Sequence, residues 1–127
     1  MIDTQAFLWL TSAPGRLSAE ARGILGDPAN TVLLSYVVPW EIAIKAAIGK
    51  LPLPLSVHEY VVTRARRHSL EFLPITLDHV THVATLPLHH RDPFDRLLIA
   101  QAQREGLPLL TADRRLAQYG VAIIAAA

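Results

Sequence analysis

Four acids are the residues best placed to do chemistry: Asp3, Glu41, Asp95 and Asp113. Asp3 follows an apolar start, Glu41 stands in WEIAIK, Asp95 opens DRLLIAQA and Asp113 closes LLTAD. Carboxylates crowded into one place repel, and each is costly to ionise without a compensating cation. An oxygen-only ligand set around an open position suits Mg²⁺ or Mn²⁺ rather than zinc. Such an ion activates water and orients a phosphate for in-line displacement, so no protein nucleophile is needed. That agrees with a chain that has no cysteine and no Ser/His/Asp order. Each acid also has a plainer reading. Asp3 and Asp113 could cap the helices that follow them, and Glu41 could pair with Lys45 at i,i+4. Asp92 and Asp95 could be N-cap and N3 of one helix, and for Asp92 the capping role is favoured.

These acids matter only if the fold gathers them. The 127 residues allow one domain, spanning 1–127, and a 51% hydrophobic composition can supply its core. Gly and Pro divide the chain into short units. A strand is expected at the very start, although only Met1 and Ile2 precede Asp3, which is short for the middle of a sheet. A helix through Phe7, Leu8 and Leu10 should stop at Pro14-Gly15. Ser18 should cap a second, ending near Gly26. Further strands are expected at 31–35, 71–75, 108–111 and 121–125, with helices over 38–48, 56–68, 78–86 and 92–106 and a short one at 113–118. Strands that are short, apolar on both faces and alternate with helices indicate an α/β fold around a parallel sheet. In right-handed βαβ units each strand ends, and the next helix begins, on one edge of the sheet. Ligands of open α/β folds bind along that edge. Asp3, Glu41, Asp95 and Asp113 all fall there.

Three blocks carry a family likeness: IDTQAFLWL at 2–10, SYVVPWEIAIKAAIGKLPLP at 35–54 and HRDPFDRLLIAQAQREGLPLLTAD at 90–113. In order and spacing they resemble PIN-domain proteins, above all the VapC-type endoribonuclease toxins of type II toxin–antitoxin pairs. The resemblance implies a three-layer α/β/α domain with a central, mostly parallel sheet. It also implies a Mg²⁺- or Mn²⁺-dependent ribonuclease, a homodimer, and inhibition by a cognate antitoxin protein. By motif, Asp3, Glu41, Asp95 and Asp113 would be the catalytic acids, with Asp3, Asp95 and Glu41 holding the metal. Thr4, Asp92 and Thr111 would be supporting residues.

Other features are weighed against this. Lys+Arg 12 against Asp+Glu 11 is nearly neutral, so an RNA track must come from local patches. The arginines suit phosphate contact: Arg91, Arg96, Arg114 and Arg115 lie near the acids, and Arg96 and Arg114 are the candidates for substrate binding. Arg64, Arg66 and Arg67 could equally be a solvated helix face. Helix 38–48 is apolar nearly all round and is expected to be buried. The pairs His79/His82 and His89/His90 lack a third zinc ligand and read as surface or capping residues. Trp9 and Trp40 read as packing rather than base-stacking residues. LPLPL at 51–55 and helix 56–68 could offer a groove to a partner. A phosphoacceptor signalling domain or a non-catalytic interaction module are the alternatives. No run is long enough to span a bilayer, no signal peptide is evident, and the absence of cysteine fits a cytoplasmic protein.

Overall fold

The computed structural model of the chain describes all 127 residues. Helices α1 (Thr4–Ser12) and α2 (Ala19–Gly26) precede strand β1 (Leu33–Ser35). Helices α3 (Val37–Ala47) and α4 (Val57–Arg67) lead to β2 (Glu71–Leu73) and α5 (Leu77–His82). Helix α6 (Pro93–Glu105), β3 (Leu109–Thr111) and β4 (Ile123–Ala125) complete the chain, with a 3₁₀ turn at Arg114–Tyr119 before β4.

β1 pairs with β2 and β3 with β4, both parallel, and Ile2 joins the two pairs through parallel bridges to Leu34 and Leu110. The expected first strand is thus a single residue, but it holds the central position. Its short ladder is anchored by Ile2 N–H on Leu33 O, Asp3 N–H on Leu110 O and Leu110 N–H on Met1 O. Hydrogen bonds on both sides fix Asp3 at the centre of the sheet edge despite the brevity of the strand.

The period-two alternation of strand side chains builds three layers. Ile2, Leu34 and Leu110 turn to one face, where they pack with Phe7, Ala21, Val38, Ile42 and Val61 from α1 to α4. Leu33, Leu109 and Ile123 turn to the other, against Leu98, Ile99 and Leu116. Pro93 in the first turn of α6 and Gly106, at φ 66° beyond its last turn, delimit that helix. The carbonyl-rich segment before it is tied down by Arg96, whose guanidinium donates to Val83 O, Leu86 O, Pro87 O and the Tyr119 hydroxyl.

Two expectations change here. Helix α3 is not buried all round: Val37, Val38, Glu41 and Ile42 face inward, whereas Trp40 and Ile48 are 47% and 60% exposed. One face suffices to cover the sheet, and on the other Trp40 is only partly covered, by Phe94 of α6. The predicted helix over 78–86 is also broken, α5 passing into a 3₁₀ turn at Val83–Thr85.

Candidate active site

Asp3 leaves the central strand and caps α1, its Oδ1 accepting from Ala6 N–H at 2.8 Å. Its Oδ2 accepts from the Thr111 hydroxyl at 2.5 Å, and that hydroxyl in turn accepts from Asp113 N–H at 3.0 Å. Thr111 therefore links the ends of two neighbouring strands and aims Asp3. Glu41 comes from α3 and is 6% exposed. Its Oε1 accepts from the Thr4 hydroxyl at 2.6 Å, and its Oε2 pairs with Lys45 one turn on.

Asp95 enters from α6. Trp40 and Phe94 each stand immediately before an acid, and their rings meet edge to face at 4.8 Å. This contact draws the first turns of α3 and α6 together and so brings Glu41 towards Asp95. Asp92 is the N-cap of α6, accepting from Phe94 N–H and Asp95 N–H at 2.8 and 3.1 Å.

All of these residues line one cleft of about 440 Å³, formed by Asp3, Thr4, Gln5, Glu41, Lys45, Asp92, Asp95, Ala112 and Asp113. Of the residues carrying the sequence-based assignments, Asp3, Thr4, Glu41, Asp92, Asp95 and Asp113 meet there, and Thr111 stands behind them. Arg96 does not: its guanidinium holds the backbone of 83–90, as described above. Arg114 is exposed and makes no side-chain hydrogen bond. The arginine at the site is Arg115, whose Nε and Nη2 bind Asp113 at 2.9 and 2.7 Å.

His90 was also placed wrongly by spacing alone. It is largely covered, with its Nε2 3.4 Å from Asp95 Oδ2 and 3.2 Å from Asp113 Oδ2. Its Nδ1 accepts from Asp92 N–H at 3.0 Å, and its Nε2 stands between the two carboxylates and the Arg115 guanidinium, 3.2 Å away. Ligand atoms of His90, Asp95 and Asp113 lie within 4.8 Å of one another. The one hint in the sequence was position: two residues before a helix N-cap, a ring nitrogen can reach the cap's own N–H. His79 instead closes a capping box with Thr76, and His82 pairs with Gln103.

The electrostatics divide the acids into two kinds. Asp113 has its counter-charge: the Arg115 guanidinium holds its carboxyl down at about 2. Asp95 does not. Burial, reinforced by the negative charges of Asp92 and Asp3, pushes it up to about 7. Burial likewise raises Asp3, partly opposed by its hydrogen bonds from Thr111 and Ala6. Lys45 is the one cationic side chain lining the cleft and is committed to Glu41, which raises the lysine's own pKa. The cleft is therefore short of positive charge around Asp3 and Asp95. Asp3, Glu41 and Asp95 offer hard oxygen donors to this one cleft, the ligand type that Mg²⁺ or Mn²⁺ takes, while the ligand atoms already within 4.8 Å of one another are those of His90, Asp95 and Asp113.

Hydroxyls that orient metal ligands typically contribute 10- to 100-fold in metal affinity. Thr111→Val, which keeps the shape of a fully buried side chain, should weaken Mn²⁺ binding by about that factor, measured calorimetrically. Unchanged affinity would show that Thr111 does not support Asp3.

A PIN domain family model matches residues 1–122. Ribonuclease VapC16 of Mycobacterium tuberculosis is 43% identical over 68 residues, covering 50% of this chain and 47% of that protein. The chain thus matches about half the length of this curated relative. Two solved structures share the fold. One is VapBC2 from Rickettsia felis bound to a DNA fragment from their promoter, with a TM-score of 0.73 at 14% identity, covering 100% of this chain and 98% of that one. The other is FitAB bound to an IR36 DNA fragment, with a TM-score of 0.63 at 17% identity, covering 98% and 92%.

Proposed function

The chain belongs to the PIN domain family, and from that premise we propose that it is a divalent-metal-dependent endoribonuclease, the toxin of a type II toxin–antitoxin pair. The observation that carries the reading is the cleft where Asp3, Glu41 and Asp95 converge, with its one lysine already paired. The likeness to a ribonuclease over 68 residues supports RNA as the polymer cut.

Held by oxygens of Asp3, Glu41 and Asp95, a hard divalent ion would supply an activated water and offset charge gathering on the scissile phosphate. The protein holds and aims the donors. Asp3 is fixed at the sheet centre by Ala6 and Thr111, and Asp95 by the capped first turn of α6. Glu41 is steadied from both sides by Thr4 and Lys45. Asp113, held ionised by Arg115, is a carboxylate at the rim able to accept a hydrogen bond from the attacking water and so orient it.

The reading also assigns partners. The exposed apolar side chains of α3, Tyr36, Trp40, Ile44 and Ile48, suit an interface with a second copy or with the antitoxin protein. No helix is long and apolar enough to cross a membrane, which fits a toxin acting on cytoplasmic RNA.

The test is incubation of the purified protein with total RNA and sequencing of the new ends. Cleavage should require Mg²⁺ or Mn²⁺ and stop with a chelator. Cleavage indifferent to chelation would overturn the metal mechanism, and absence of cleavage under every divalent ion would overturn the nuclease reading.

A further inference from the structure

The cations around the acidic cleft are engaged: Lys45 with Glu41, Arg115 with Asp113, and Arg96 with backbone carbonyls. A polyanionic strand brought to that cleft must find its counter-charge further along the surface. A second cavity, of about 410 Å³, lies next to the first and shares Gln5 with it. It is lined by Trp9, Arg16, Tyr60 and Arg64, and walled on one side by residues 51–54, which include Pro52 and Pro54.

The two arginines here differ from those at the cleft. Neither has an acidic partner within ion-pair distance. Each lies over an aromatic face instead: Arg16 is 5.2 Å from the Trp9 ring centre and Arg64 is 4.5 Å from that of Tyr60. A stacked guanidinium is held in place while N–H groups stay available for an oxygen contact, although Arg64 spends one Nη1 bond on the Thr63 hydroxyl at 2.9 Å. Arg64 Nε and Trp9 Nε1 are both buried without an acceptor and are closed to solvent behind the surface of the groove. Arg66, Arg67, Arg91 and Arg114 are exposed, and none of them lines either cavity.

We infer that the Trp9–Arg16–Tyr60–Arg64 groove binds the single-stranded RNA backbone one or two nucleotides away from the phosphate in the acidic cleft. The inference rests on the ribonuclease reading above. Helix α1 rises about 6 Å from Gln5 to Trp9, close to one backbone repeat of an extended strand. Gln5, exposed at the seam, spans the passage between the two cavities. Phosphate oxygens would meet the terminal guanidinium nitrogens, and the outer faces of the stacked guanidinium groups offer platforms for bases. The continuity of the groove with the acidic cleft favours the substrate strand over a peptide of a protein partner.

The experiment measures fluorescence anisotropy of labelled single-stranded RNA on the full-length Asp3→Asn protein with Mg²⁺, comparing Arg16→Gln, Arg64→Gln and the double variant. Each arginine lost should weaken binding on the order of tenfold and lower the log–log salt slope by about 0.7. Arg→Lys at both positions should restore much of the slope. Should the glutamine variants fail to fold, Gln5→Glu, an exposed change at the seam, should still weaken binding. RNA affinity and salt slope unchanged in these variants overturn the track, including the case in which they weaken a protein partner instead. If the parent protein binds RNA of no length, the failure belongs to the ribonuclease reading itself.

Discussion

Asp95→Asn is expected to abolish RNA cleavage and, at the same time, to make the metal-free protein more stable above pH 7. Both effects come from one cause. The folded protein keeps the Asp95 carboxyl protonated up to about pH 7, because burial and the charges of Asp92 and Asp3 oppose ionisation. The unfolded chain releases that proton near 3.8. Between these values the native state binds more protons than the unfolded one, so its stability declines as pH rises and levels off above about 7. The full linkage over that span is about 4 kcal/mol, and solvent at the open cleft reduces it to about 2 kcal/mol, several degrees in Tm. Asparagine removes the charge and with it this slope. Thermal melts from pH 5 to 8 should show wild-type Tm falling and Asp95→Asn falling much less, the remaining slope being that of Asp3, whose carboxyl burial also raises. Added Mn²⁺ should raise the wild-type Tm at pH 8 and leave the variant unmoved. A wild-type profile without slope, or a variant that cuts RNA at the normal rate, would contradict this assignment.

Asp3→Asn tests the other side of the cleft. The amide oxygen can still accept from Ala6 N–H, so the α1 cap survives and the fold should be kept. What disappears is a buried negative charge at the centre of the sheet edge. Metal-mediated charge stabilisation is worth several kcal/mol, so the cleavage rate should fall about 10³-fold, with circular dichroism unchanged. Retention of more than a tenth of the activity would remove Asp3 from the metal site. The two variants complement each other: both silence the cleft, and Asp95→Asn removes the larger share of the dependence of stability on pH.

Much of this arrangement was legible from sequence because connectivity does the positioning. Short strands apolar on both faces imply a covered parallel sheet, and a parallel sheet puts strand ends and helix starts on one edge. That logic placed Asp3, Glu41, Asp95 and Asp113 along a common line without any knowledge of side-chain contacts. The match to the PIN domain family and the three observed layers bear out the fold class. What escaped was set by side-chain direction outside regular elements. His90 lies in a segment without periodicity, where nothing in the spacing says whether a ring turns inward. Arg115 rather than Arg114 faces Asp113, because a 3₁₀ turn departs from α-helical periodicity and its N-terminal cap decides which neighbour folds back. Arg96 has helical periodicity but reaches to unpaired carbonyls of the preceding segment, a demand created by tertiary structure. The exposed face of α3 shows the limit of composition: an apolar side chain reports a preference for burial, and a second molecule can satisfy it as well as the chain's own core.

The central claim is that Asp3, Glu41 and Asp95 take a divalent cation together. The most direct measurement is anomalous diffraction from crystals of the protein grown with Mn²⁺. An ion bound jointly by oxygens of Asp3 and Asp95, at about 2.2 Å from each and with Glu41 beside it, is the predicted result. An ion held by His90, Asp95 and Asp113 with Asp3 uninvolved, or no ion in the cleft at saturating Mn²⁺, would contradict it.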